Sequence, residues 1–492
     1  MLMGVIHGRT IPHFEVAYPR LLESRGLRSY RVLHIKDGLT LQLEKTSVLS
    51  ENFILTDRSN GYSYDTMMNG TELERNLYHD IKKMAAVQVT EKNGTVEVRG
   101  ILGPRLRILP LPLAAPSEDG RMAHKLFGVA SSAHYENDYI VSPRFLRKAR
   151  ASPARPTKIL KKTKIPDPFL VELQIVVDGH HSKSFTAEED LVIYMATMVA
   201  MVNIRYANSQ NPTVIFILIK ISKDSNFQKY VYGTDPEDPD NPVKNYTSSK
   251  STLKQLAKSY EYAAADIVMF VTGLKLANVV NKVISTGVKG FAHFGGLCKR
   301  KTRFGQVEDV PHTFSGTSPL AHELGHLMGM PHDGEIPSYD VLGIKWLQCS
   351  AKSGYLMAPE GGGVNEGFFT KCSLQHMEVF LRTVDQDCFK VKTQTVIQSP
   401  SKLPGGELSI SSLCEKRYPH VSGITGVDEP TLRNNCEYLC CPMGDSQGNV
   451  TCLVESYVDG MPCGSGQICK RKRCGKHSVN LPPPASVPTN QP

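Results

Sequence analysis

The chain has no cysteine before Cys298, no internal repeat, and no apolar run long enough to cross a bilayer. The longest apolar candidate, LVIYMATMVAMVNI from Leu191 to Ile204, is about 14 residues against the roughly 20 that a spanning helix needs, so it is expected to be a buried helix. The opening MLMGVIHGRT holds too short an apolar stretch for a signal sequence. The N-terminus is therefore expected to be incomplete. Acidic residues are missing from one segment only. Arg144 to Lys164 (RFLRKARASPARPTKILKKTK) carries nine Lys or Arg and no acid, and the net charge of the whole chain is +9. Outside that segment the charges balance, which removes the case for a nucleic-acid partner.

What is present is unevenly distributed. All twelve cysteines fall after residue 297, and eight of them crowd into Cys414 to Cys474. An even count at such density reads as disulfides formed in an oxidising compartment. Asn-x-Ser/Thr sequons at Asn69, Asn93, Asn245 and Asn449 agree with a secreted, extracellular glycoprotein. The eight C-terminal cysteines permit about 105 pairings, all open at this level.

At 492 residues, several domains are expected. Residues 1–164 combine alternating, strand-like stretches (LTLQLEKTSVL, GTVEVRGILG) with the basic, Pro-containing linker. That linker suits proteolytic processing, with Arg150 of RKAR the cleavage candidate. Over 165–390, FLVELQIVVD, TVIFILIKIS and DIVMFVTGL read as buried strands alternating with helices, an α/β arrangement around a mostly parallel sheet. Residues 391–412 form a linker, 413–475 a cysteine-rich module, and 476–492 a Pro-rich, disordered tail.

The chemistry lies in AHELGHLMGMPHDG, beginning at Ala321. On a helix His322 and His326 are one turn apart and share a face. His332 would be rotated about 120° from that face if the helix continued. Gly329, which tolerates positive φ, and Pro331, which stops a helix, let the chain turn back so that His332 can join the other two. Three imidazoles leave a fourth tetrahedral position open, the pattern of a catalytic zinc. Glu323, one residue past the first histidine, points about 100° away and is placed to act on water as a general base. His180 and His181, adjacent at a strand end, are expected to point in opposite directions and to have surface or loop roles. His293 and His312 have no partner at a ligand spacing.

HELGHLMGMPHD resembles the extended zinc motif of the metzincins, and Asp333 is typical of their adamalysin (reprolysin) branch. SGYLMAP resembles that clan's Met-turn, with Met357 as the apolar floor. GFAHFGGLC (Gly290 to Cys298) resembles the edge strand along which an extended polypeptide substrate lies. The resemblance covers about residues 166–390. It implies a metzincin-type fold, a twisted, mostly parallel sheet with zinc in the cleft, and a preceding propeptide domain. It also implies Cys298–Cys388 and Cys349–Cys372 disulfides. DGMPCGSGQICKRKRC is similar to the end of cysteine-rich modules in ADAMTS-type proteases, and the overall plan looks most like tick salivary gland metalloproteases. Matrix or plasma proteins such as fibrinogen are the substrates so implied. Glu172 and Asp266 match two of the branch's calcium positions, but CFKVKT lacks the expected asparagine, which argues against calcium. The propeptide cysteine that silences many relatives is also absent, so latency is expected to use another contact. An alternative reading is a non-enzymatic binder whose cysteine-rich module engages matrix or host proteins, with Lys470 to Arg473 as a glycan contact.

Overall fold

The computed structural model describes residues 14–22, 30–58, 62–129, 135–141, 164–234, 242–336, 346–393, 409–442, 451–470 and 473–476, apart from isolated positions within those spans. Arg150 and most of 391–408 and 477–492 lie outside the described residues, as do Asn93 and Asn449.

The central layer is an eight-stranded sheet. Phe169–Val177 lies at its middle, buried at all nine positions, and pairs in parallel with Val214–Lys223 on one side and Ile267–Thr272 on the other. Such a strand reads as a continuous apolar run because helices or other layers cover both faces. Phe304–Glu308 continues the parallel set, and Gly290–His293 closes it antiparallel. The helix Glu188–Tyr206 lies against this sheet. Its acids occupy the first turn, where the macrodipole favours them, and every residue from Leu191 to Val202 is buried. Among the described residues no helix is long and apolar enough to cross a membrane.

The N-terminal region forms a separate nine-stranded, wholly antiparallel sheet over residues 14–128. Side chains along Ala85–Lys92 alternate between two cores. Ala85, Val87 and Val89 join Leu33, Leu41 and Val98 in one cluster, and Ala86 faces the opposite way into the cluster of the central helix and sheet. The same region also contributes to the central sheet at both edges. Leu49–Asp57 pairs in parallel with Val214–Lys223, and Tyr139–Ile140 pairs in parallel with Ala292–His293. Arg107, 2% exposed, locks the two layers together by donating to the carbonyls of Thr313 and Phe314 at 3.1 and 3.2 Å.

The C-terminal module has two three-stranded sheets and its own small core. Disulfides Cys414–Cys440, Cys436–Cys469, Cys441–Cys452 and Cys463–Cys474 fix it, which is how so small a unit holds together. It touches the N-terminal sheet through Gln42, which donates to the Tyr457 carbonyl, and Arg20, which donates to that of Arg417. Cys298–Cys388 and Cys349–Cys372 are bonded in the central region.

Candidate metal centre

The helix Thr317–Leu327 carries His322, Glu323 and His326 in its last two turns, all fully buried. It ends at Met328, and Gly329 follows with φ +82°. A side chain there would also collide with Phe380, whose Cγ lies 2.4 Å from where a Cβ would sit. The chain turns back after Gly329, and His332, 3% exposed, reaches the other two imidazoles. The three ring centroids are 4.7, 4.9 and 5.3 Å apart.

The tautomers are set by the surrounding backbone. His322 Nδ1–H donates to the Leu356 carbonyl at 2.6 Å and His326 Nδ1–H to that of Met330 at 2.8 Å. Each Nε2 is then left with a lone pair pointing into the centre. Burial holds His326 down at about 4, which keeps it neutral. His332 Nδ1 faces Glu335 at 3.6 Å. Met357 is fully buried with its sulfur against Gly325, between the two helical histidines. Asp333 donates its N–H to the Met357 carbonyl and accepts from the hydroxyls of Thr370 and Ser373, tying the returning chain to the helix Lys371–Leu381.

Glu323 is completely buried, and burial, with the charge of Asp138 second, raises its carboxyl well above the usual range. Its Oε1 would lie 2.2 Å from a Cβ on Gly290, the first residue of the edge strand. Only glycine leaves this carboxylate room.

The residue at the centre of the three histidines is Asp138. Its Oδ2 is 3.1 Å from His322 Nε2, and its Oδ1 is 3.2 Å from the Nε2 of both His326 and His332. The carboxylate and all three Nε2 atoms are buried without a hydrogen-bond partner. Lone pairs facing a carboxylate repel unless a cation lies between them. Ligand atoms of tetrahedral zinc, with bonds of about 2.0–2.1 Å, lie roughly 3.3 Å apart. The donor set and its spacing therefore fit a zinc ion held by His322, His326, His332 and Asp138.

Asp138 belongs to a segment that crosses the site. Tyr135 stacks on His322 with centroids 3.8 Å apart and rings 10° from parallel, and its N–H donates to the Pro359 carbonyl at 2.8 Å. The Tyr139 ring lies 4.5 Å from that of His326, and its hydroxyl donates to Glu335 at 2.6 Å. Asp138, Tyr135 and Tyr139 were not legible as site residues, and Gly290 was read only as the start of the edge strand. An isolated aspartate in YENDY has no ligand spacing, and the one available signal was the missing upstream cysteine.

Elsewhere, His180 is exposed but His181 is interior, against the expectation of a surface role for both. A single helical turn, Gly179–Ser182, replaces the extended geometry and swings His181 inward, where it meets Asp309 at 2.7 Å. His312 Nε2–H donates to the Ser184 carbonyl and His293 Nδ1–H to that of Phe304. Glu172 and Asp266 lie side by side, and burial pushes Asp266 up to about 7. The CFKVKT stretch brings the Lys392 N–H and the Thr393 hydroxyl to Glu172.

Residues 192–333 match the metallo-peptidase family M12B reprolysin-like. The chain is 25% identical over 402 residues to venom metalloproteinase BumaMPs1 of Olivierus martensii, covering 79% of this chain and 95% of that protein. It is 24% identical to venom metalloproteinase antarease TserMP_A of Tityus serrulatus, over 76% of this chain and 92% of that one. Against the human "A disintegrin and metalloproteinase with thrombospondin motifs 15" it is 24% identical, over 64% of this chain and 31% of that protein. Among solved structures, metalloproteinase-II from Bacteroides fragilis aligns with TM-score 0.32 and 10% identity, over 76% of this chain and 91% of that one. Residues 192–333 form a reprolysin-like M12B metallopeptidase domain, and the chain that carries it is a zinc metalloendopeptidase.

Proposed function

We propose that the chain is a secreted proenzyme whose central region, 165–390, hydrolyses peptide bonds of extracellular proteins after the propeptide region, 1–164, is cut within its basic stretch at Arg150. The observation that carries this reading is the convergence of three buried, unpartnered Nε2 atoms beside a buried Glu323 and an edge strand, Gly290–His293. Zinc bound by His322, His326 and His332 supplies a Lewis acid, which acidifies water and polarises a carbonyl. Glu323 takes the proton of the attacking water and passes it to the leaving nitrogen as the C–N bond breaks. Its burial keeps the proton affinity high enough for that second transfer. The edge strand takes an extended substrate through backbone hydrogen bonds, so binding depends little on sequence. The stretch after Met357, APEGGGVNEGFF, borders the pocket for the residue beyond the scissile bond.

Six disulfides and the venom relatives support an extracellular site of action. The plan of a short catalytic region with one cysteine-rich module, like that of tick salivary metalloproteases, favours matrix or plasma proteins such as fibrinogen as substrates. The test is cleavage of an unfolded protein by the processed enzyme, wild type and Glu323→Ala, with and without a chelator. Equal cleavage by the variant, or cleavage untouched by chelation, overturns the mechanism. If neither form cuts while the protein binds matrix, the binder reading replaces it.

A further inference from the structure

We propose that Asp138 is the zinc ligand of the unprocessed chain, filling the fourth position and holding the enzyme latent in the absence of a propeptide cysteine. The inference rests on the zinc reading of the histidine site. Both carboxylate oxygens sit 3.1–3.2 Å from the three Nε2 atoms, fully buried and with no hydrogen-bond donor. A buried carboxylate whose two oxygens accept no hydrogen bond is strongly disfavoured, so the arrangement calls for a cation. Three histidines and an aspartate then form the closed, four-ligand set of a structural zinc, whereas the same three histidines alone leave the position that catalysis requires.

The backbone around Asp138 is built to hold it there. Ala292 N–H donates to the Asp138 carbonyl and Phe294 N–H to that of Ile140, both at 2.9 Å. Tyr139 and Ile140 thus occupy the hydrogen-bonding edge that an extended substrate would use. Tyr135 covers His322 and Tyr139 covers His326. The group presented to the metal is a side-chain carboxylate, which offers no bond to cut. One short segment therefore closes the metal and the substrate edge together. Cutting the linker that follows separates Asp138 from the catalytic region and removes the high effective concentration that keeps it bound.

The decisive variant is Asp138→Asn, which keeps the size and loses the charge, in the full, uncut chain. Zinc loss to a chromophoric chelator is followed in a Glu323→Ala background, so that self-cleavage does not intrude. Latency is read from cutting of a short fluorogenic peptide by the intact chain with Glu323 present. Asp138→Asn should release zinc at least about 10-fold faster, and the intact variant should cut peptide while the intact wild type does not. Asp138→Cys, which restores an anionic ligand, should return both properties towards wild type. Zinc loss at the wild-type rate, or latency preserved in Asp138→Asn, overturns the proposal. If the processed wild type cuts nothing, the protease reading fails instead, and the zinc-loss comparison still decides the role of Asp138.

Discussion

His322, His326 and His332 come from one short stretch of chain, and Asp138 comes to the same point from the far side of the basic linker. The first three are placed by local rules: one helical turn, a glycine at φ +82°, and a proline. Asp138 is placed by a strand pairing, Tyr139–Ile140 on Ala292–His293, which no local rule specifies. The two sides also differ in what fixes them. The histidines are oriented by carbonyls of their own domain, Leu356 and Met330. The covering segment depends instead on contacts between regions, the pairing with Ala292–His293 and the Tyr135 N–H on the Pro359 carbonyl. If Asp138 restrains the enzyme as proposed, catalysis and its restraint are different kinds of structure at one centre.

Substitutions that act on one side only should make this visible. The largest effect is expected from Glu323→Ala, which removes the proton-transfer group while leaving the Nε2 atoms and Asp138 in place. Processed enzyme should lose about 10²–10⁴-fold in kcat, and chelator-driven zinc loss from the uncut chain should be unchanged. Next comes Gly290→Ala. Its Cβ would fall 2.2 Å from Glu323 Oε1, so the carboxylate must shift. A loss of about 10² in kcat/KM is expected where catalytic geometry is displaced by about 1 Å. Normal zinc content, measured by atomic absorption, would separate this from damage to the histidine side.

The parts that could be read from sequence were those with a short period or a short spacing. FLVELQIVVD, TVIFILIKIS and DIVMFVTGL are strands because a buried parallel strand needs an uninterrupted apolar run. LVIYMATMVAMVNI lies within a helix buried all round. The turn at Gly329 followed from the need to bring back His332. The pairing of Leu49–Asp57 with Val214–Lys223 was not legible, because its hydrophobic pattern suits the end of either sheet. His181 was misjudged for a similar reason. Adjacent histidines separate to opposite faces on a strand, but one helical turn and a distant Asp309 decided where it went. Asp138 combines both difficulties: a common residue type without spacing, meeting partners remote in sequence.

A smaller effect is expected where the covering region is fastened. Arg107 donates to the carbonyls of Gly103, Thr313 and Phe314, and burial lowers its guanidinium to about 10. Arg107→Met keeps the volume and takes their donor from the Gly103 and Thr313 carbonyls, while that of Phe314 keeps the Thr317 N–H and hydroxyl, a cost of about 1–3 kcal/mol. Thr313 and Phe314 immediately precede the histidine helix, so the loss weakens the hold of the N-terminal sheet more than it disturbs the zinc ligands. The uncut variant should show measurable residual cutting of a short peptide, and limited proteolysis should release the N-terminal region sooner than in wild type. Unchanged latency would mean that the strand pairings alone carry the attachment.

The smallest effect should separate the two regions by pH. His34, in the N-terminal sheet, is 7% exposed, and its Nδ1 meets the Thr40 hydroxyl at 3.1 Å. Burial, with the charge of Arg20 second, lowers it from 6.5 to about 4; Arg417 adds to the repulsion, and Asp37 and Glu455 oppose it. A histidine depressed on folding contributes stability that is fully present above its unfolded value of 6.5. That contribution is lost as pH falls towards 4, because the unfolded chain takes up the proton first. Thermal unfolding of the uncut chain in the Glu323→Ala background should therefore drop by a few degrees between pH 6.5 and 4 on account of this residue. His34→Gln, which cannot be charged, should flatten that part of the curve. The processed catalytic region has no His34, so its own acid response should be the same whether the proenzyme carried histidine or glutamine there. A pH profile unaltered by His34→Gln in the uncut chain would show that the N-terminal sheet does not set the acid limit of the assembled proenzyme.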